Sequence, residues 1–352
     1  MNQPQDVFSS MSEPTEGLEL QTRATARNPR VPLRERMEYT TKFGEFGFGS
    51  GQFTEPNGLA VAPCGDIIVC DTNNNRLEVF DKNGNYRFEI FLHVHQDDAH
   101  HNQFKLATKE KMLKFSDPDV PNEVREGGCF PNRVAVVPST AEIVVTERYP
   151  NPQVKVFNMT GKFRRKFGSD KLQYPRALAL DKEENIVVVE CKVMRVTIFT
   201  LSGTCLQQMS LTGKLNFPNG VCISKKNEIL ISDNRDHCIK VFDWQGKLLR
   251  SIGEPHVTHF PIGVELGPDD EVIVADNHNN FNLTYFTIDG KLKRAFESKV
   301  KHAQCFDIAL TPDNNIVLAS KDYRMYIYDP ARVTGQPERR RRILTQYLSE
   351  ER

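Results

Sequence analysis

The sequence predicts an all-β fold, a six-bladed β-propeller whose ring is closed by a strand from the N-terminal part of the chain. Three observations predict it. A proline recurs at 56, 131, 175, 218 and 261, and a sixth copy carries Cys305 in its place. The spacings are 75, 44, 43, 43 and 44, so a unit of about 43 residues repeats, with an insertion of about 31 in the first interval. A fixed period of this size marks a solenoid or a propeller. Each copy also holds four short runs, such as GVCIS, EILISD, IKVFDW and KLLRSI within 217–253, and helical periodicity is almost absent. Four strands per copy in six copies make a propeller.

Taken in order, residues 1–36 are polar and without periodicity, and are expected to be a disordered segment. The propeller is expected to span 37–330. Residues 37–46, MEYTTKFGEF, read as an isolated strand. In every copy the second run is the most apolar (DIIVCD, EIVVTE, NIVVVE, EILISD, EVIVAD, NIVLAS), which predicts burial on both faces. The third run alternates, and the fourth is richest in Lys and Arg, as suits an outer edge. The last copy, 304–330, offers only three runs, so the strand near 37–44 is expected to complete it. An insertion at 91–128 separates the first two blades, with a short helix expected over Gln103–Phe115. Residues 331–352 form a basic tail ending in PERRRRILTQYLSEER.

Composition narrows the function. The 46 basic and 46 acidic side chains cancel, so no global charge points to nucleic acid or membrane. No apolar run approaches the roughly 20 residues that span a bilayer. The N-terminus lacks the apolar core of a secretory signal. Eight cysteines are scattered without a CxxC pair, which predicts free, mostly buried thiols in a reducing compartment, hence a cytoplasmic location. No Gly-rich phosphate loop and no Cys/His zinc spacing occurs, so no cofactor is expected.

Connectivity sorts the loops. With strands A to D in each blade, the B–C and D–A loops share one face and the A–B and C–D loops the other. The first face gathers Asn73, Asn75, Arg133, Arg148, Arg176, Lys192, Asn234, Arg235, Asn277, Lys321 and Arg324. It also gathers Phe130, Tyr174, Phe217 and Phe260, each just before a proline. The A–B loops carry Asp66, Glu142, Asp181, Glu183, Glu184, Glu228, Asp269, Asp270, Glu271 and Asp313 with Lys182, Lys225 and Lys226, and sum to about −7, against about +2 for the first face. Aromatics stack bases, Arg and Lys meet phosphates, and Asn reads base edges, a mixture suited to a splayed single strand. A second reading of the same residues is structural: aromatic-Pro wedges between blades, and Asp-Asn turns that close B to C.

Two other functions compete. A metal-dependent hydrolase or lyase would use the carboxylates that end successive B strands, Glu147, Glu190, Asp233 and Asp276, with His237 and His278 nearby. A protein scaffold without RNA binding would use the same loops, or the acidic face, for protein partners.

EPNGLAV, VVECKVMRV, FPNGV, SDNRDHC, VADNHNNFNLT, ESKVKHAQCFDIAL and LASKDYRMYIY resemble the NHL repeats of TRIM-NHL proteins. The resemblance covers about 37–90 and 129–330. It implies a six-bladed propeller, single-stranded RNA binding on one face with a U-rich preference, and repression of the bound messages. The partners it implies are mRNA and protein corepressors, the latter expected on the acidic face; neither membrane nor DNA is expected. Positions matching the family's RNA-contacting motifs are Asn73, Asn75, Phe130, Arg148, Arg176, Cys191, Lys192, Phe217, Asn234, Phe260 and Asn277, flanked by Arg133, Asn219, Arg235 and His278. Three positions depart from the pattern: Phe130 replaces a Tyr, Asn75 a His and Glu183 a Lys. The RING, B-box and coiled coil typical of TRIM proteins are absent from this sequence, so ubiquitin ligase activity is not expected of it.

Overall fold

Six antiparallel sheets stand side by side as blades I to VI. The structure is a computed structural model that describes residues 32–92, 130–148, 151–277 and 280–332. Blade I comprises Pro56–Val61, Ile67–Asp71, Arg76–Phe80 and Tyr86–Phe91 as strands A to D. Blade II comprises Pro131–Val136, Ile143–Glu147, Gln153–Phe157 and Phe163–Phe167. Blade III comprises Pro175–Leu180, Ile186–Glu190, Arg195–Phe199 and Cys205–Ser210. Blade IV comprises Pro218–Ile223, Ile229–Asp233, Cys238–Phe242 and Leu248–Ile252. Blade V comprises Pro261–Leu266, Val272–Asp276, Asn282–Phe286 and Leu292–Ser298. Blade VI takes strands A to C from Cys305–Leu310, Ile316–Ser320 and Arg324–Tyr328.

Its fourth strand is Tyr39–Phe43, antiparallel to Arg324–Tyr328, with Tyr39 opposite Tyr328 and Phe43 opposite Met325. The expected closure is therefore present. The B strands are buried along their whole length, as their unbroken apolar runs require. Each blade junction has its own apolar core. Between IV and V it includes Leu230, Ile239, Val264, Val272 and Val274. Between VI and I, across the closure, it includes Phe53, Leu59, Phe80, Val317 and Met325. Each such side chain contributes about 1.5–3 kcal/mol by leaving water.

The innermost strands must approach closely, and the residue two after each proline decides how. At Gly58 a Cβ would meet the Asn132 carbonyl oxygen at 2.4 Å and the Arg133 Cα at 2.9 Å. The same position in the neighbouring blades carries Arg133 and Asp307. These two reach past Gly58 and pair at 3.6 Å, while Asp307 also accepts the Leu59 N–H at 3.1 Å. The missing side chain thus makes room for an ion pair joining three blades.

The A strands enclose a central channel of about 330 Å³. Glu265 sits on its wall, where burial pushes its carboxyl up to about 8, with the Asp307 carboxylate adding to the effect. In the unfolded chain this group ionises near its ordinary value of 4.5. Below that pH both states are protonated; between 4.5 and about 8 only the unfolded state ionises, so this group's stability contribution is lost across that window. Glu265→Gln does not titrate. Its melting temperature relative to wild type is expected to rise from pH 4.5 to 8 and to level off above. Differential scanning fluorimetry across that range checks this; a pH-independent offset would contradict it.

Two expectations need correction. Residues 32–36 are not part of a disordered segment, because Glu35–Met37 forms a fifth, outermost strand parallel to strand D of blade V, with Glu35 opposite Phe296. Nor is 37–46 one strand: Met37 ends that added strand, 39–43 closes blade VI, and Glu45–Phe46 pairs with Gln52–Phe53. The partners of 35–37 and 39–43 lie more than 200 residues away, so local periodicity carries no trace of the division between two blades. The helix expected over Gln103–Phe115, and the basic tail beyond 332, lie outside the described residues.

Candidate nucleic-acid interface

The loop face is built by two recurrent devices. The first is a register shift in the A–B ladder next to each proline. In blade III, Pro175 pairs with Glu190 and Ala177 with Val189, so Arg176 bulges out between them. Asn219 occupies the comparable irregularity of blade IV. A bulge re-aims the side chain it carries, and Arg176 reaches Asn219 and the Phe217 ring of the next blade. The second device is the carboxylate that ends strand B. Asp71 accepts the N–H groups of Thr54 and Glu55, Glu190 those of Gln173 and Tyr174, and Asp233 those of Asn216 and Phe217. Each carboxylate thereby holds the residue that precedes the proline. A cation on strand C neutralises it: Arg76 for Asp71, Lys155 for Glu147, Arg195 for Glu190 and Lys240 for Asp233. These groups are structural, and among the described residues no cluster of three or more His, Cys, Asp or Glu is placed to hold a metal.

With their backbones held, the residues before the prolines present their rings outward. Tyr174 is exposed, and the Lys192 ammonium lies 4.0 Å from its ring centroid. Phe217 is half-buried with guanidinium groups at 5.7 Å (Arg176) and 5.3 Å (Arg235) from its centroid. Phe260 is 45% exposed. Its φ of 49° is rare for a bulky residue. Its N–H donates to His237 Nδ1 at 3.1 Å, and the two rings meet edge to face at 4.4 Å. Strain of this kind at an exposed aromatic is characteristic of functional sites. Three adjacent blades therefore carry an alternating row of rings and cations.

Positive charge concentrates at the blade II–III mouth. Burial lowers Arg176 to about 10, and the neighbouring Arg133 and Arg148 add to the effect. An anion bound there would relieve that repulsion. Arg176 is oriented by Nε donating to Asn219 Oδ1 at 2.8 Å. Cys191 is half-buried and its N–H donates to the Tyr174 carbonyl at 3.3 Å. Asn234 donates from Nδ2 to the Pro261 carbonyl at 3.3 Å, and Asn277 Oδ1 lies 3.4 Å from Cys305 Sγ. Asn73 is exposed; Phe130 and Arg148 are half-buried. His278 lies outside the described residues. Leu92 and Phe130, which bracket the 93–129 stretch, lie at the D–A side of their blades, on this face.

Three expected site residues point elsewhere. Asn75 is buried and left-handed (φ 56°), closing the turn over 72–74 with its N–H on the Thr72 carbonyl. Arg133 is buried against Asn57, Asn132 and Asp307 and acts as an inter-blade tie. Asn219 is buried beneath Arg176 and orients it. Two residues were missed. His237 holds Phe260, a role with no signal in the repeat pattern. Glu55 stands before Pro56, where the next four copies carry an aromatic, and that substitution is visible in FTEP. Burial pushes the Glu55 carboxyl up, against the pull of Arg148 and Lys321.

The opposite face is less acidic than its loops alone suggest. Strand D supplies counterions: Arg87 to Asp66, Arg165 to Glu142, Arg250 to Glu228, and Lys293 with Arg294 to Glu271. The Lys and Arg of the fourth run are thus partners of the A–B loop acids.

The seven described cysteines are free thiols, and Cys70, Cys222, Cys238 and Cys305 are buried. Among the described residues no helix is long and apolar enough to cross a membrane.

The NHL repeat family model matches residues 53–80 and 215–242. The chain is 57% identical over 306 residues to "Protein brain tumor" of Drosophila melanogaster, covering 87% of this chain and 27% of that protein. It is 57% identical over 295 residues to "B-box type zinc finger protein ncl-1" of Caenorhabditis elegans, covering 84% of this chain and 31% of that protein. The chain thus spans about a third or less of the length of these curated relatives. Among solved structures, a streptogramin B lyase is similar at a TM-score of 0.57 and 14% identity, covering 82% of this chain and 96% of that one. Virginiamycin B lyase from Staphylococcus aureus is similar at 0.53 and 15% identity, covering 78% and 94%. At such identity the likeness extends to the propeller fold alone.

Proposed function

The chain belongs to the TRIM-NHL family, and on that premise we propose that its loop face binds single-stranded RNA with a preference for U-rich sites of the 3′UTR type and represses the bound messages. One observation carries this reading: the row of rings and cations formed by Lys192 and Tyr174, Arg176, Phe217 and Arg235, then His237 and Phe260. Successive bases stack on such rings at about 1–3 kcal/mol each, while the interleaved cations meet the backbone. The bulged Arg176 beside Arg148 offers the strongest site for a phosphate. Protein corepressors are the second class of partner in this reading, met on surfaces away from the loop face.

Affinity for short U-rich and A-rich strands measured across a salt series tests the proposal. The U-rich strand is expected to bind more tightly, with log K falling by about 0.7 per phosphate for each tenfold rise in salt, hence a slope near −2 to −3 for four cations. Equal and weak binding of both strands would overturn it.

A further inference from the structure

Blade V breaks the charge pattern of its neighbours. In blades I to IV the carboxylate ending strand B meets a cation from strand C of its own blade, at the first position (Arg76, Arg195) or the third (Lys155, Lys240). Blade V ends strand B with the buried Asp276, yet the first and third residues of its strand C are Asn282 and Thr284. Asn282 Nδ2 donates to Asp276 Oδ1 at 2.8 Å where the other blades place a charge, and a buried carboxylate gains strongly from a cation.

The cation comes from outside the repeats. Arg34 precedes the added parallel strand Glu35–Met37. Its Nη2 lies 3.7 Å from Asp276 Oδ2, and its Nη1 donates to Thr284 Oγ1 at 3.1 Å, the third-position residue. Nη2 also donates at 2.6 Å to the carbonyl of Val257, in the D–A loop that delivers Phe260. In blades I, III and IV the carboxylate holds the comparable loop by its N–H groups. In blade V the Phe260 N–H goes to His237 instead, and Arg34 bridges the carboxylate to the loop.

We infer that Arg34 is a positioning residue for the blade V part of the loop face, standing in for the missing strand C cation and tying the Phe260 loop to Asp276. The surroundings support the assignment. Met37, three residues on, is buried in the blade V–VI core, and the Lys299 N–H donates to its carbonyl at 2.8 Å, which seats the segment. The binding consequence rests on the proposed RNA reading; the charge replacement does not.

The test uses the full chain. Arg34→Ala is expected to lower the melting temperature by about 5–10 °C and to weaken U-rich RNA binding about 5–10-fold, since the ring at Phe260 loses its support. Adding Thr284→Lys to Arg34→Ala restores a cation where blades II and IV carry theirs, and is expected to recover most of the melting temperature. Recovery of binding should be smaller, because the introduced ammonium lacks the fork that reaches Val257. Arg34→Lys should fall between wild type and Arg34→Ala in both measurements. A melting temperature for Arg34→Ala within about 1 °C of wild type would overturn the inference. So would a loss that Thr284→Lys leaves uncorrected while Arg34→Lys is also no better than Ala. If the stability pattern appears but the wild-type chain binds no RNA, the charge replacement stands and the RNA reading falls.

Discussion

Phe217→Ala is expected to weaken binding of a U-rich single strand by about 10- to 100-fold while the melting temperature stays within about 2 °C of wild type. The reasoning starts from what the substitution leaves alone. The loop is held through the Phe217 N–H on Asp233 and the Phe217 carbonyl on the Asn234 N–H, and alanine keeps both. What disappears is a half-buried ring flanked by two guanidinium groups. A base stacked there loses its platform, and Arg176 and Arg235 lose the surface that orders them. Fluorescence anisotropy with a labelled strand, beside a thermal melt, separates the two effects. A large fall in melting temperature would identify Phe217 as a wedge between blades, and unchanged affinity would remove it from the interface.

The largest expected stability effect lies at Arg76. It is 1% exposed, and one guanidinium meets Asp71 at 3.2 Å, Glu78 at 3.2 Å and Glu89 at 2.6 Å. It also donates to the carbonyls of Gly49 at 2.8 Å and Gln52 at 2.5 Å. It therefore anchors the chain running from the closing strand into blade I. Breaking a buried pair by removing one partner costs about 3–5 kcal/mol. Arg76→Ala strands more than one carboxylate, so a fall in melting temperature of about 10 °C or more is expected. The effect should depend on pH. Burial pushes Glu78 up to about 8 even with Arg76 opposing it, and raises Asp71 as well. Without the cation both folded values rise further while the unfolded values stay near 4.5 and 3.8. The Glu78 part of the deficit is thus smallest well below about 8, where the folded Glu78 carboxyl is protonated with or without Arg76, and grows as pH rises through 8 and beyond. Melts of the variant and wild type at about pH 6 and about pH 9.5 check this; a deficit equal at both would refute the charge explanation. Arg76→Lys should recover only part of the loss, because an ammonium cannot reproduce the fork.

Much of this was legible in the residues. The period of about 43 set the blade number, and the unbroken apolar runs identified the B strands. The missing run after Tyr328 pointed to a strand near 37–44, because a ring with an unpaired edge is unstable. Loop connectivity sorted Arg148, Arg176, Lys192, Phe217 and Phe260 to one face. Depth was not legible: Asn75 and Arg133 resemble their exposed neighbours in sequence, and only a left-handed turn and a close approach at Gly58 bury them. Charge was read from loops, while Arg165 and Arg250, which neutralise the A–B acids, stand on strands. Arg34 left no trace either, since its partners are 223 to 262 residues away.

The closing strand also sets a clock. Thr40 Oγ1 donates to the Ile327 carbonyl, and these residues are 287 apart in the chain. At about 5–20 residues per second, roughly 15–60 s of synthesis separate the making of one partner from the making of the other. Throughout that interval the strand Tyr39–Phe43 lacks the edge on which it docks. A nascent chain released before Tyr328 would carry five blades and two unmatched edges. The same interaction that seals the finished ring therefore has to wait for the last blade.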